Sequence, residues 1–203
     1  MSLGELVRRS DAVEIRQKRE WTEIFTDWET RNRYVVRFPS GEELVAGETG
    51  GGFMETLLRG MLKNRRPFTM ELREASGQPA LRVERPWTWW LSRVEVLDGA
   101  GRLIGSVEQE FAFFRRVFRL VGPGGVELGR LTGPFFRPWT FHLEQGGREV
   151  GRISKQWGGF FKELATDADT FGLSLGPELS AEARLVALGA TFLIDFLYFE
   201  DRE

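Results

Sequence analysis

Gly125-Val126-Glu127-Leu128-Gly129-Arg130-Leu131 carries the frame that decides the fold: a turn glycine, three residues, a second glycine and then a strand. The same frame returns at Gly101-Arg102-Leu103-Ile104-Gly105-Ser106-Val107 and at Gly147-Arg148-Glu149-Val150-Gly151-Arg152-Ile153. Weaker copies begin at Gly41 and Gly77, where Val45 and Leu81 replace the second glycine. The first glycine fits the positive φ of a tight turn, and the second marks a bulge or a close approach of two backbones. Another unit, Arg66-Pro67-Phe68-Thr69-Met70, recurs at Arg85-Pro86-Trp87-Thr88-Trp89 and at Arg137-Pro138-Trp139-Thr140-Phe141. Proline is tolerated at the first residue of a strand, so each copy is expected to open one. The chain reads as successive β-hairpins closing one sheet or barrel.

Two segments depart from that pattern. Met54, Leu57, Leu58, Met61 and Leu62 fall at helical spacing with Glu55, Arg59 and Lys63 on the other side, a short amphipathic helix. Ser180 can cap a second helix running to about Glu200, whose body from Leu185 to Phe199 is apolar nearly all round. Leu185, Leu188, Phe192, Leu193 and Phe196 belong to its apolar circumference. A spanning helix needs about 20 apolar residues. This run is shorter, contains Asp195 and ends in Glu200-Asp201-Arg202-Glu203, so it is read as a buried core helix wrapped by the hairpins. Asp195 then needs a partner, an Arg or Lys from a lining strand with Lys155 as one candidate, or else a polar gap at the barrel mouth.

Composition narrows the chemistry. In 203 residues there are 28 Lys and Arg against 30 Asp and Glu, with pI near 5.7, which disfavours nucleic acid as a partner. With no cysteine, thiolate metal sites, disulfides and palmitoyl anchors are excluded on these residues. The single histidine, His142, sits in a strand-like run, which leaves little room for triad chemistry, and there is no phosphate-binding loop. A non-enzymatic protein is expected. The start of the chain lacks the long apolar core of a secretory signal, so the expectation is cytoplasmic, peripheral at a membrane.

Aromatics make up 13% of the chain. Alternation along strands puts every second ring inside a barrel, which leaves the odd members Trp90, Phe114 and Phe136 as candidates for surface contact with lipid headgroups. Arg59, Lys63, Arg65 and Arg66 beside Leu58 and Leu62 form a candidate membrane-contact segment, in which the leucines insert and the cations stay with headgroups. The same helix could instead plug one end of the barrel.

Gly151-Arg152-Ile153-Ser154-Lys155-Gln156-Trp157, Thr166-Asp167-Ala168-Asp169-Thr170-Phe171-Gly172 and Gly189-Ala190-Thr191-Phe192-Leu193-Ile194-Asp195-Phe196 resemble, in order and spacing, the C-terminal half of the phospholipid scramblases. Phe25-Thr26-Asp27-Trp28-Glu29-Thr30-Arg31-Asn32-Arg33-Tyr34 extends the likeness upstream, so it covers the chain from about Val13. The resemblance, to a short cysteine-free member, implies a Tubby-like fold: a mainly β (α+β) chain in which a closed antiparallel β-barrel surrounds a C-terminal hydrophobic helix. Residues 1–12 are then a short tail and 13–203 one domain. It further implies ATP-independent, Ca²⁺-dependent movement of phospholipid between leaflets, with a phospholipid membrane and a protein as partners. The alternative is a lipid- or phosphoinositide-binding or protein-interaction module without transport. For Ca²⁺ it points to a segment from Asp167, where Asp167, Asp169, Gly172 and Glu178 match positions 1, 3, 6 and 12 of an EF-hand loop. Phe171 at position 5 supplies no side-chain oxygen, so Asp167, Asp169 and Glu178 would form a weak site, or the two aspartates simply make a turn before a strand.

Overall fold

In the computed structural model, residues 2–18, 32–49, 67–88, 90–136, 139–155 and 170–199 are described. Twelve antiparallel strands close into one barrel: β1 Ala12–Lys18, β2 Arg33–Arg37, β3 Glu43–Thr49, β4 Phe68–Arg73, β5 Pro79–Arg85, β6 Arg93–Asp98, β7 Leu103–Glu110, β8 Arg115–Val121, β9 Glu127–Pro134, β10 Thr140–Gln145, β11 Arg148–Ser154 and β12 Thr170–Leu175. Each strand pairs with its sequence neighbours, and β1 closes the ring against β12. Helix α1, Leu3–Arg9, precedes β1, and helix α2, Ala181–Tyr198, follows β12.

The hairpin frame is what the turns use. Gly41, Gly77, Gly101, Gly125 and Gly147 all have positive φ, between 79° and 93°. At the second glycine a side chain would collide with a neighbouring strand. A Cβ on Gly105 would lie 2.5 Å from the Val121 carbonyl oxygen and 2.8 Å from the Val186 methyl on α2, and one on Gly151 would lie 2.5 Å from Ser174 O. The Arg-Pro unit behaves differently. β4 and β10 begin within two of its copies, at Phe68 and Thr140, but Arg85 ends β5, and Pro86–Thr88 lie in a loop. Arg85 is buried there and donates to Ser92 Oγ at 2.9 Å, so the chain is tied back before β6 instead of continuing as strand.

Alternation sorts the strands into an apolar inside and a charged outside. Tyr34 and Val36, Leu81 and Val83, Val94 and Val96, Phe118 and Leu120, Phe141 and Leu143 all point inward and are buried. The space they enclose is filled by α2, whose Leu188, Phe192, Leu193 and Phe196 are buried, with Leu185 packed against the core at its edge. Ser180 Oγ accepts from the Ala183 amide at 3.2 Å, the expected N-cap. Each buried Leu or Phe contributes about 1.5–3 kcal/mol, so the helix is a large part of what holds the barrel together. No helix among the described residues is long and apolar enough to cross a membrane.

On the outside, arginines and glutamates cross the strands. Arg93 reaches Glu108 at 3.3 Å, Arg119 reaches Glu108 at 2.7 Å, and Arg130 reaches Glu110 at 3.8 Å and Glu127 at 3.3 Å. Such a wall is the reverse of a membrane-spanning barrel, whose outward band is apolar.

The stretch 1–12, read above as a tail, carries α1, whose Leu3, Leu6 and Val7 are buried in the common core. Arg184 in the first turn of α2 joins the two ends of the chain. Its Nε donates to Leu179 O (3.0 Å), Nη1 to Val7 O (3.0 Å) and Ser10 O (2.7 Å), and Nη2 to Gly176 O (2.6 Å). Burial lowers the Arg184 pKa from its ordinary value. Arg184→Leu orphans these carbonyls and is expected to lower stability by about 3 kcal/mol. At 2–4 °C per kcal/mol that is a fall in Tm of roughly 6–12 °C in a thermal melt.

Two outer carboxylates give opposite pH signatures. The hydrogen bond from Arg119 is the main cause holding the Glu108 pKa below its ordinary value, so its stabilisation is present at neutral pH and lost as pH falls through that lowered value. Burial raises the Glu14 pKa despite Arg37 at 3.8 Å. Glu14 therefore weakens the fold at neutral pH, and the penalty disappears as pH falls through its raised value. Melting curves are expected to show Glu14→Gln raising Tm at pH 7 and Glu108→Gln lowering it, both differences vanishing in acid.

Candidate functional site

The antiparallel ring gives the barrel two unlike ends. At one, strands are joined by the tight glycine turns, and α1 and the start of α2 pack there. At the other, odd-numbered strands end and even-numbered strands begin, and α2 finishes. The β5–β6, β7–β8 and β9–β10 loops lie at this second end.

These three loops carry rings into solvent. Trp90 in the β5–β6 loop is 93% exposed, Phe113 and Phe114 between β7 and β8 are 80% and 83% exposed, and Phe136 between β9 and β10 is 87% exposed. Leu91, Phe111, Phe135 and Trp139 are exposed as well. These hairpins are consecutive in the ring, so the rings form one arc across six adjacent strands, β5 to β10. The arc is held from below. Besides the Arg85–Ser92 bond, the Ser92 amide donates to Gln109 Oε1 at 3.1 Å, and the Gln109 amide donates to Ser92 O at 2.8 Å. Phe111 and Phe113 pack edge to face at 5.0 Å, as do Phe135 and Phe136 at 5.8 Å.

Inside the arc, the last turn of α2 presents Phe196, Tyr198 and Phe199. Each ring carries a cation from the wall: Arg85 at 5.0 Å from Phe196, Arg116 at 4.2 Å from Tyr198 and Lys155 at 4.4 Å from Phe199. Positive charge there complements the negative end of the helix dipole. α2 itself supplies no basic residue in that turn.

Asp195, on this same turn, is buried, and the Tyr34 hydroxyl donates to its Oδ2 at 2.5 Å. Tyr34 also packs edge to face on Phe192 at 5.4 Å. One partner of Asp195 is thus a phenol, and the Lys155 ammonium stands over Phe171 and Phe199. Tyr34 alternates inward with Val36 on β2, and alternation could have flagged it as a lining hydroxyl within reach of α2.

Of the other residues singled out from the sequence, Leu58, Arg59, Leu62, Lys63, Arg65, Arg66, Asp167 and Asp169 lie outside the described residues. Glu178 is exposed in the turn between β12 and α2, at the glycine-turn end. β12 starts at Thr170 at the far end and spans roughly 17 Å at 3.3 Å per residue. Among the described residues no group of three or more His, Asp or Glu could hold a metal ion. His142 lies on the outer wall with Nδ1 3.0 Å from Glu149 Oε2.

Trp90, Phe114 and Phe136 are exposed as the alternation argument requires. Phe111, Phe113 and Phe135, assigned by that argument to the core, are exposed too, because they sit in loops past the strand ends, where alternation no longer applies.

The scramblase family model matches residues 2–201. The chain belongs to the scramblase family. It is 29% identical to phospholipid scramblase 1 of Rattus norvegicus over 97% of this chain and 62% of that protein. Phospholipid scramblase 2 of Bos taurus is 29% identical over 97% of this chain and 71% of its own length. Phospholipid scramblase family member 5 of Homo sapiens is 26% identical over 97% and 76%. The chain therefore spans somewhat less than two thirds of the rat relative. No solved structure matches it.

Replacing the phenol tests the buried pair. Tyr34→Phe removes a charge-assisted hydrogen bond and is expected to cost about 2 kcal/mol in chemical denaturation. Tyr34→Phe combined with Asp195→Asn is expected to cost clearly less than the sum of the single changes, since the two groups are coupled.

Proposed function

We propose that this protein works on phospholipid at a membrane face, moving lipid between leaflets without ATP and without making or breaking a covalent bond. Family membership over nearly the whole chain carries this reading, since relatives that align with 97% of it are named phospholipid scramblases. The structure adds physical support. Transport down a gradient needs a lipid-contacting surface and no catalytic group, and the loop end offers exposed rings backed by a rigid wall.

A second reading, a lipid-binding module without transport, is favoured by the position of α2. Its apolar surface is already consumed inside the barrel, so lipid would be met by loops and not by a helix leaving the fold.

Both are resolved with the protein added to liposomes carrying a fluorescent phospholipid, with and without Ca²⁺ and in the absence of ATP. The proposed activity is expected to float the protein with the vesicles and to expose the inner-leaflet label to dithionite. Flotation without label exposure would establish the binding module. Neither effect under any condition would overturn both readings.

A further inference from the structure

We propose that the aromatic arc of the β5–β6, β7–β8 and β9–β10 loops is a bilayer-insertion surface, which docks the loop end of the barrel onto the phospholipid interface. This rests on the phospholipid reading above and names the surface by which it would be met. The arc is built from Trp90, Phe113, Phe114 and Phe136, with Phe111 and Phe135 beside them, on three hairpins that are neighbours in the barrel.

Several observations single out a bilayer as the occupant. The rings stand on separate hairpin tips, between 73% and 93% exposed for Trp90, Phe111, Phe113, Phe114 and Phe136. Projecting tips suit a deformable medium, whereas a protein partner needs a close-packed complementary face. Trp and Phe are also the side chains that settle at the membrane interface. Below them the wall is charged: Arg93 at the start of β6 and Arg119 on β8 pair with Glu108, and Arg115 at the start of β8 is exposed beside Phe114. That sharp change from apolar tips to a polar wall sets a shallow depth of entry. It also predicts the character of binding. Because Arg93 and Arg119 already meet Glu108 and Arg116 lies over the Phe135 and Tyr198 rings, which among the described residues leaves Arg115 as a single exposed cation beside the arc, attraction comes mainly from apolar burial, so zwitterionic vesicles should bind and salt should matter little.

Exposure makes the surface easy to test without unfolding the protein. Trp90→Ser, Phe113→Ser, Phe114→Ser and Phe136→Ser together are compared with Val126→Ser, which alters an exposed apolar residue at the glycine-turn end. Flotation with phosphatidylcholine vesicles is expected to weaken by about a hundredfold or more in the fourfold variant and to stay unchanged in Val126→Ser, at low and high salt alike. The chain has no cysteine. A single environment-sensitive label can therefore be placed by Phe114→Cys, Phe136→Cys or Val126→Cys, and only the first two should shift to the blue on vesicles.

Each contrary result has a distinct meaning. If the wild type binds vesicles and the fourfold variant binds equally well, the arc is not the docking surface, while the phospholipid reading stands. Binding confined to phosphatidylserine vesicles and abolished by salt would overturn the apolar mode. If sedimentation shows the wild type self-associating and the fourfold variant monomeric with vesicle binding unaltered, the arc joins two copies of this chain. Failure of the wild type to bind any vesicle would remove the phospholipid reading together with the inference.

Discussion

Everything in this molecule answers to one constraint: an eighteen-residue helix that is apolar nearly all round must be kept from water. A flat sheet could cover only one face of it. Closure of the strands into a ring covers the whole circumference and, in the same step, removes the exposed edges that a sheet would leave. The inward positions of the strands must then be apolar and the second glycines must have no side chain. Gly105 shows this directly, because its missing Cβ is what lets β7 approach both β8 and Val186 of α2.

Enclosing the helix creates two polar problems, one at each end. At its start, the carbonyls of Val7, Ser10, Gly176 and Leu179 converge where strands and helices change over, and Arg184 supplies donors to all of them. One guanidinium thus ties the beginning of the chain to its last helix. At its finish, Asp195 is a carboxylate near the negative end of a helix dipole, an unfavourable place for charge. The Tyr34 hydroxyl and the cations over Phe196, Tyr198 and Phe199 are arranged round that end. The Arg184 and Asp195 networks therefore lie at the two mouths, and buried Thr191 between them donates to Ala187 O of its own helix.

The two mouths also differ in what they show to the outside. Tight turns hold the first to short glycine connections, with Asp98 Oδ1 accepting from the amides of Ala100 and Arg102 in one of them. At the second, the β5–β6, β7–β8 and β9–β10 connections release aromatic residues from the strand pattern. That division of labour follows from an even number of antiparallel strands, which sends every alternate connection to the same end.

The sequence by itself determined the repeating hairpins, the positive-φ glycines at 41, 77, 101, 125 and 147, the Ser180 cap and the burial of the final helix, because turns, caps and periodicity are local properties. It also carried the family likeness. Tertiary structure alone decided which partner Asp195 found, that residues 3–9 would be held in the core by Arg184, and that the Arg85 copy of a strand-opening unit would end a strand. It decided too that Phe111, Phe113 and Phe135 would face solvent: period-two reasoning holds only while the chain remains in a strand, and the exit point is fixed by pairing with neighbours distant in sequence. The separation of Glu178 from Thr170 has the same origin, since a spacing in sequence becomes a loop or a rod according to whether the residues between find a strand to pair with.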